Sequence, residues 1–221
     1  MKKTLLIALF LGCLTSFASA GMKAGVTVSG YMLDVTGKEA SSGGGADQSR
    51  SEDIEGLTGS IFAEYHSDML NGMAIGIDIV PYDIDFGSVE NKRNATAGNP
   101  NGVKGSDGQD GTNTATVEMQ HSLTGYLLLP VDNGVYLKAG LSYANLAISE
   151  TITTKSSYPD EEIYGMHINI GYERDVADLF VRAEVGFSEW DRVTVKSNSG
   201  RNTVTADLDG TSARISIGKA F

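Results

Sequence analysis

The sequence predicts an all-β chain: an eight-stranded antiparallel up-and-down transmembrane β-barrel. Three observations carry that expectation. Apolar residues recur with period two, the signature of a strand with one apolar face, and no long 3.6-residue stripe competes with it. The connections between alternating segments are short and long by turns. An export signal precedes them.

Residues 1–20 have the anatomy of that signal. Lys2 and Lys3 form a charged start, Leu5 to Leu14 a short apolar core, and Ala18-Ser19-Ala20 a small-residue cleavage site. Gly12-Cys13 is a poor lipoprotein site. Phe10 stands where such sites carry Leu, and a cut there leaves a very short apolar core. Loss of 20 of the 221 residues leaves a 201-residue barrel domain, 21–221. It removes two lysines, taking the net charge from −11 to −13, and removes Cys13, the chain's one cysteine. Disulfides, thiol nucleophiles, Cys-ligated zinc and iron–sulfur clusters are thereby excluded from the exported chain. The acidic balance argues against nucleic acid as a partner. Beyond residue 20 no apolar run reaches the ~18 residues of a transmembrane helix.

Eight segments alternate: 22–36, 54–67, 72–86, 114–130, 134–150, 161–174, 178–196 and 203–221. In the third, Met73, Ile75, Ile77 and Ile79 alternate with Ala74, Gly76, Asp78 and Val80. In the fourth, Val117, Met119, His121, Leu123, Gly125, Leu127 and Leu129 are expected on one face, with Glu118, Thr124 and Tyr126 opposite. In the seventh, Leu179, Val181, Ala183, Val185 and Phe187 oppose Phe180, Arg182, Glu184 and Gly186. The connections 37–53, 87–113, 151–160 and 197–202 are long and polar. Those at Ser67 to Asn71, Val131 to Asn133 and Asp175 to Ala177 are short. No domain boundary and no long-period repeat interrupts the pattern. Sixteen strands would need ~160 residues in the membrane and leave too few for the first two loops.

Alternation does not say which face meets lipid; the placement of particular residues does. Tyr65 and Tyr172 sit just before short turns, and Phe221 ends the chain. Tyr143, Tyr164 and Phe187 lie on the same face about nine residues above their short turns. At roughly 2.5 Å of climb per tilted residue the two sets stand about 23 Å apart, the spacing of the aromatic girdles around an apolar band of ~25 Å. The opposite face carries Glu64, Asp78, Glu118, Lys138, Arg182, Glu184 and Arg214. Charges facing lipid cost up to ~2–4 kcal/mol each near the midplane, so these are expected in the lumen as a paired, hydrogen-bonded network. Arg214 is expected beside Glu184. At the C-terminus, Ala213, Ile215, Ile217 and Phe221 alternate, with Lys219 where an apolar residue is usual.

With the export signal, the eight segments, the loop asymmetry and terminal Phe221 in place, the whole exported chain resembles the small outer-membrane barrels of the OmpA/OmpX-like class. The resemblance implies a bacterial outer-membrane location. It implies contact with outer-membrane lipid and lipopolysaccharide, and recognition of Ile215, Ile217 and Phe221 as an assembly signal by the barrel-assembly machinery. It carries over no functional motif.

No catalytic, metal or cofactor site is expected. Some eight-stranded barrels modify lipid A with Ser, His and a carboxylate. Here His66-Ser67 and His121-Ser122 are consecutive and point to opposite faces, and His167 has no serine that sequence places beside it. Ser106 to Asn113 holds Asp, Asn and Gly at short spacing but fits neither an EF-hand nor a nonapeptide cation loop; it reads as a solvated loop. An eight-stranded lumen is just wide enough for side chains to fill. The expected function is therefore a non-enzymatic envelope protein, its lumen packed shut and its extracellular loops turned to a ligand that the sequence leaves unspecified. The alternatives are a narrow porin-like channel and, less favoured, a lipid A-modifying enzyme. The hairpins around 193–205 and 143–164 are expected to protrude above the upper girdle, offering strand edges to a partner.

Overall fold

In a computed structural model describing residues 21–41, 48–67, 71–93, 111–151, 157–198 and 202–221, the period-two segments all form strands. They are β1 (Met22–Ser41), β2 (Gln48–Ser67), β3 (Met73–Ile79), β4 (Ile84–Arg93), β5 (Gly111–Asp132), β6 (Val135–Thr151), β7 (Glu161–Val176), β8 (Leu179–Lys196) and β9 (Asn202–Ala220). Each pairs antiparallel with its neighbours, and β9 closes on β1. The third wall position is shared: β3 pairs with β2 and β5, and β4 pairs with β5 above it. The wall is thus an eight-stranded up-and-down barrel. The export signal 1–20, the loop residues 106–110, and the hairpin residues Ser199 and Gly200 lie outside the described residues.

The cross-strand register fixes the stagger. From Met22 the direct partners run through Tyr65, Ile75, Leu127, Ala139, Ile168, Phe187 and Thr211, and return to β1 at Met32. One circuit climbs ten residues, so the strands lean about 40° from the barrel axis. Short turns close the lower rim. Asn71-Gly72 and Asn133-Gly134 both have positive φ (54° and 78°; 50° and 85°), the geometry that suits a right-twisted two-residue hairpin. Ala177 turns the β7–β8 hairpin at φ 55°.

The strands run further up than the alternation suggested. β1 and β2 stay paired to Glu39 and Gln48, and most of β4 and the start of β5 occupy residues expected in the second long connection, 87–113. These extensions are polar outside because they stand in water.

β9 shows both faces changing over. From top to bottom its inner face runs Val204, Ala206, Leu208, Gly210, Ser212, Arg214, Ser216. Its outer face runs Thr205, Asp207, Asp209, Thr211, Ala213, Ile215, Ile217. The lower barrel is apolar outside and polar inside; the upper barrel is the reverse. The outer belt is wide open to its surroundings, with Val28 61%, Leu141 67% and Ile215 66% exposed, as side chains packed by lipid and not by protein must be. Above it, Met119, Ala144, Leu146, Ile163, Val193, Val195 and Leu208 form a buried apolar cluster inside the barrel.

Of the four bulges in the described ladders, two decide which residues of β5 and β8 face the lumen. Between Gln120 and Leu123, where His121 takes a left-handed φ of 53°, one extra residue enters β5 and the parity above it flips. Met119 therefore points inward and Glu118 outward, opposite to expectation. A second bulge, between Trp190 and Val193, keeps Val193 and Val195 inside.

One seam interrupts the wall. Residues 80–83 leave the sheet, at a segment whose Pro81 lacks the amide hydrogen a ladder needs. β2 above Ile61 consequently has no ladder partner on that side, and β4 has none on the side facing β2. Tyr82 bridges the gap: its hydroxyl accepts from the Gly59 amide and stands 3.2 Å from Thr58 Oγ1.

Candidate functional site

The lumen is layered in three tiers, each built by inward positions of successive strands. The lowest tier holds charge and aromatic rings. Arg182 on β8 grips Glu64 on β2 with both terminal nitrogens, Nη2 to Oε2 at 2.7 Å, and donates from Nε to Glu173 Oε2 at 2.6 Å. Tyr126 donates to Glu64 Oε1 at 2.7 Å, and His66 Nε2 lies 3.0 Å from Oε2. Lys23 completes this group on Glu173. Lys138 donates to Glu184 Oε2 at 2.7 Å and Tyr136 to Oε1 at 2.8 Å. Arg214 binds Asp78 and holds Nε 3.4 Å from Glu184. Glu184 and Arg214 are direct cross-strand partners on β8 and β9, as the alternation suggested.

Rings fill the space between the charges. Phe62, Phe180 and Tyr136 surround the Arg182 guanidinium at 5.4, 4.8 and 5.4 Å, and Lys138 Nζ lies 4.9 Å from the Tyr126 ring. These are cation–π distances, between side chains buried enough for them to count. Tyr126 and Tyr136 reach their carboxylates by lying over Gly76 and Gly171; a Cβ at either glycine would overlap the ring. The four basic side chains of the tier (Lys23, Lys138, Arg182, Arg214) balance its four carboxylates (Glu64, Asp78, Glu173, Glu184), so the plug is neutral overall.

The middle tier is made of hydroxyls. Thr124 bonds Ser142 at 2.8 Å there, and Thr27 bonds Ser216 at 2.8 Å lower down, below Arg214 on β9. Ser142 also stands 3.4 Å from His167 Nδ1. The top tier is the apolar cluster, with Tyr31 and Phe86 edge to face at 6.3 Å beside the seam. Between the upper two tiers lies a cavity of about 160 Å³.

Six of the seven charges expected in the lumen are there and bonded to one another: Glu64, Asp78, Lys138, Arg182, Glu184 and Arg214. Glu118 is not. The left-handed bulge at His121 turns it outward, level with Asp85 and Ala147. Lys23, His66 and Glu173 belong to the network although sequence reasoning did not select them; each shares the inward parity of its strand at the lower rim, which is the signal that would have found them. Tyr65, Tyr164, Tyr172 and Phe187 face outward and stand about half exposed, and Tyr143 lies ring to ring with Tyr164 at 5.5 Å. Ile215 and Ile217 face outward from β9, and the Phe221 amide bonds the Met22 carbonyl at 2.9 Å.

On the outer surface just above the belt, acidic residues line up across four strands. Asp53 on β2 is the direct partner of Asp34 on β1, Asp34 of Asp209 on β9, and Asp209 of Glu189 on β8. All four are exposed.

No family model and no curated protein matches this chain. Among solved structures, the outer membrane protein OprG from Pseudomonas aeruginosa is similar at a TM-score of 0.51, covering 91% of this chain and 96% of that one, at 14% identity. The fold is that of a small outer-membrane β-barrel. Neisserial surface protein A aligns at a TM-score of 0.40 over 89% of this chain and 97% of its own, at 11% identity. The outer membrane protease OmpT from Escherichia coli aligns at 0.40 over 90% and 96%, at 8% identity. At such identities the likeness concerns the fold alone.

Proposed function

We propose that this chain is a non-enzymatic protein of the bacterial outer membrane, exported with loss of residues 1–20, whose closed barrel anchors an extracellular rim for surface interaction. The observation that carries this reading is the neutral charge-and-ring plug across the lower lumen. Glu64, Lys138, Arg182 and Glu184 are all nearly fully buried and mutually bonded, which favours a stiffened wall over a water-filled path. In this reading outer-membrane lipid and lipopolysaccharide cover the apolar belt, and the barrel-assembly machinery reads Ile215, Ile217 and Phe221. The rim is held as a unit: Asn198 on the β8–β9 side donates its amide to the Ser157 carbonyl on the β6–β7 side at 2.8 Å.

A lipid A-modifying reading finds little support. The serines beside His167, Ser142 at 3.4 Å and its cross-strand partner Ser188, lie inside the lumen and away from the lipid face. The decisive test is single-channel conductance in a planar bilayer, with an unboiled gel to verify folding. A folded, silent protein is expected. Steady openings would overturn the anchor reading in favour of a narrow porin-like channel, with Asp78, Lys138 and Arg182 as its selectivity residues.

A further inference from the structure

The cavity above the hydroxyl tier has two unlike walls. Its floor is polar. Ser29, Ser60, Asp78 and Arg214 line it, and Ser60 Oγ is buried with no hydrogen-bond partner among the described residues. Its upper wall is apolar, formed by Leu33, Phe86, Met119 and the ring of Trp190. A buried hydroxyl without a partner loses about 1–3 kcal/mol of solvation, and an apolar wall gains nothing from water. One kind of occupant satisfies both walls at once.

We propose that this cavity is a binding site for a small uncharged molecule that carries one hydrogen-bonding head on a compact apolar body, such as a single-ring alcohol. The size agrees. A cavity of about 150 Å³ accommodates one benzene-sized ring, and this one measures about 160 Å³. The charge agrees as well. Asp78 and Arg214 already neutralise each other at the floor, so an ionic head would have to displace one of them and strand the other in a low-dielectric interior. A hydroxyl head bonds Ser60 and its neighbours without breaking that pair. The site goes beyond the anchor role, which needs no ligand.

Trp190 is the chain's single tryptophan and lines the cavity, so it reports occupancy directly. The experiment titrates the exported protein in lipid nanodiscs with 2-bromocyclohexanol, a heavy-atom quencher of tryptophan fluorescence. The expected result is saturable quenching, relieved by unbrominated cyclohexanol. Bromocyclohexane, which lacks the head, and Ser60→Ala should each bind about five- to tenfold more weakly, the worth of one hydrogen bond. Ser60→Ala should keep its unboiled gel mobility. Quenching that rises linearly and ignores the competitor would overturn the proposal. So would equal quenching by bromocyclohexane and the alcohol, or stronger quenching by a brominated carboxylate. Channel silence is measured separately and is indifferent to either result, so the two readings fail independently.

Discussion

Arg182 and Glu64, 118 residues apart in the chain, meet across the lumen in a two-pronged ion pair with side chains 2% and 0% exposed. Removing one partner of such a pair leaves a stranded charge and costs about 3–5 kcal/mol, whereas replacing both with apolar side chains is often near neutral. Arg182→Met is therefore expected to destabilise the barrel by that amount. Arg182→Met with Glu64→Met should recover most of the loss, since Lys23 still covers Glu173. Equilibrium unfolding in urea from lipid vesicles measures both. Equal losses in the single and double variants would refute the account.

Arg214 and Lys138 divide the work at the second group. Lys138 is the close partner of Glu184, while Arg214 chiefly holds Asp78 and reaches Glu184 only at 3.4 Å. Arg214→Ala is expected to destabilise mainly through stranded Asp78, so adding Asp78→Asn should restore stability. Adding Glu184→Gln should not, because that change strands Lys138. Thermal unfolding of the three variants, followed by the shift in unboiled gel mobility, separates the assignments.

Much of this was legible in the sequence because period two is a strong constraint. Once Ile75, Ile77 and Ile79 are put outside, Asp78 must be inside, and the same logic places Arg182, Glu184 and Arg214. Glu118 escaped that logic because a single left-handed residue, His121, shifts the parity of everything above it, and no glycine marks the spot. The apolar upper lumen escaped for a different reason. A face assigned from the membrane belt keeps its direction up the strand while its surroundings change from lipid to water, so Leu208 and Arg214 share the inward face of β9 with opposite chemistry. The seam was hidden too: Pro81 sits inside an otherwise alternating segment, and only the register shows that β3 and β4 have different partners.

The carboxylate row Asp53, Asp34, Asp209 and Glu189 sets like charges directly opposite one another on adjacent strands, an arrangement that is destabilising. Asp34 has two of them as neighbours. Asp34→Asn is expected to stabilise the barrel by a few tenths to about 1 kcal/mol, and the gain should shrink as salt is raised, because these side chains are exposed and screened. Urea midpoints at low and high ionic strength check this. A loss of stability at low salt would show that the row is held by something other than its own repulsion.

Ala177 turns the β7–β8 hairpin at φ 55°, a region that costs a non-glycine residue about 1–2 kcal/mol. The corresponding turns use Asn-Gly. Ala177→Gly removes the strain but frees the unfolded chain, which returns up to roughly 1 kcal/mol. The net expectation is a small stabilisation, with faster refolding if this hairpin forms early. Folding kinetics into vesicles give both numbers, and a lower midpoint would show that the turn is not strained.

Tyr82 closes the seam with a single hydroxyl, taking the Gly59 amide that β3 does not reach and standing within hydrogen-bond distance of Thr58. Gly59 lies at belt height, opposite Val28, where an unpaired amide has no water to turn to and costs several kcal/mol. Tyr82→Phe keeps the ring and removes the bond. It is expected to lower stability by about 1–3 kcal/mol and to speed amide hydrogen exchange at Gly59 while leaving Ile61, still paired with Ile79, protected. Thr58→Val should do neither to the same degree, because the Gly59 bond survives it. Exchange read residue by residue in nanodiscs distinguishes these outcomes. Unchanged protection of Gly59 in Tyr82→Phe would mean that the wall closes at this height without the tyrosine.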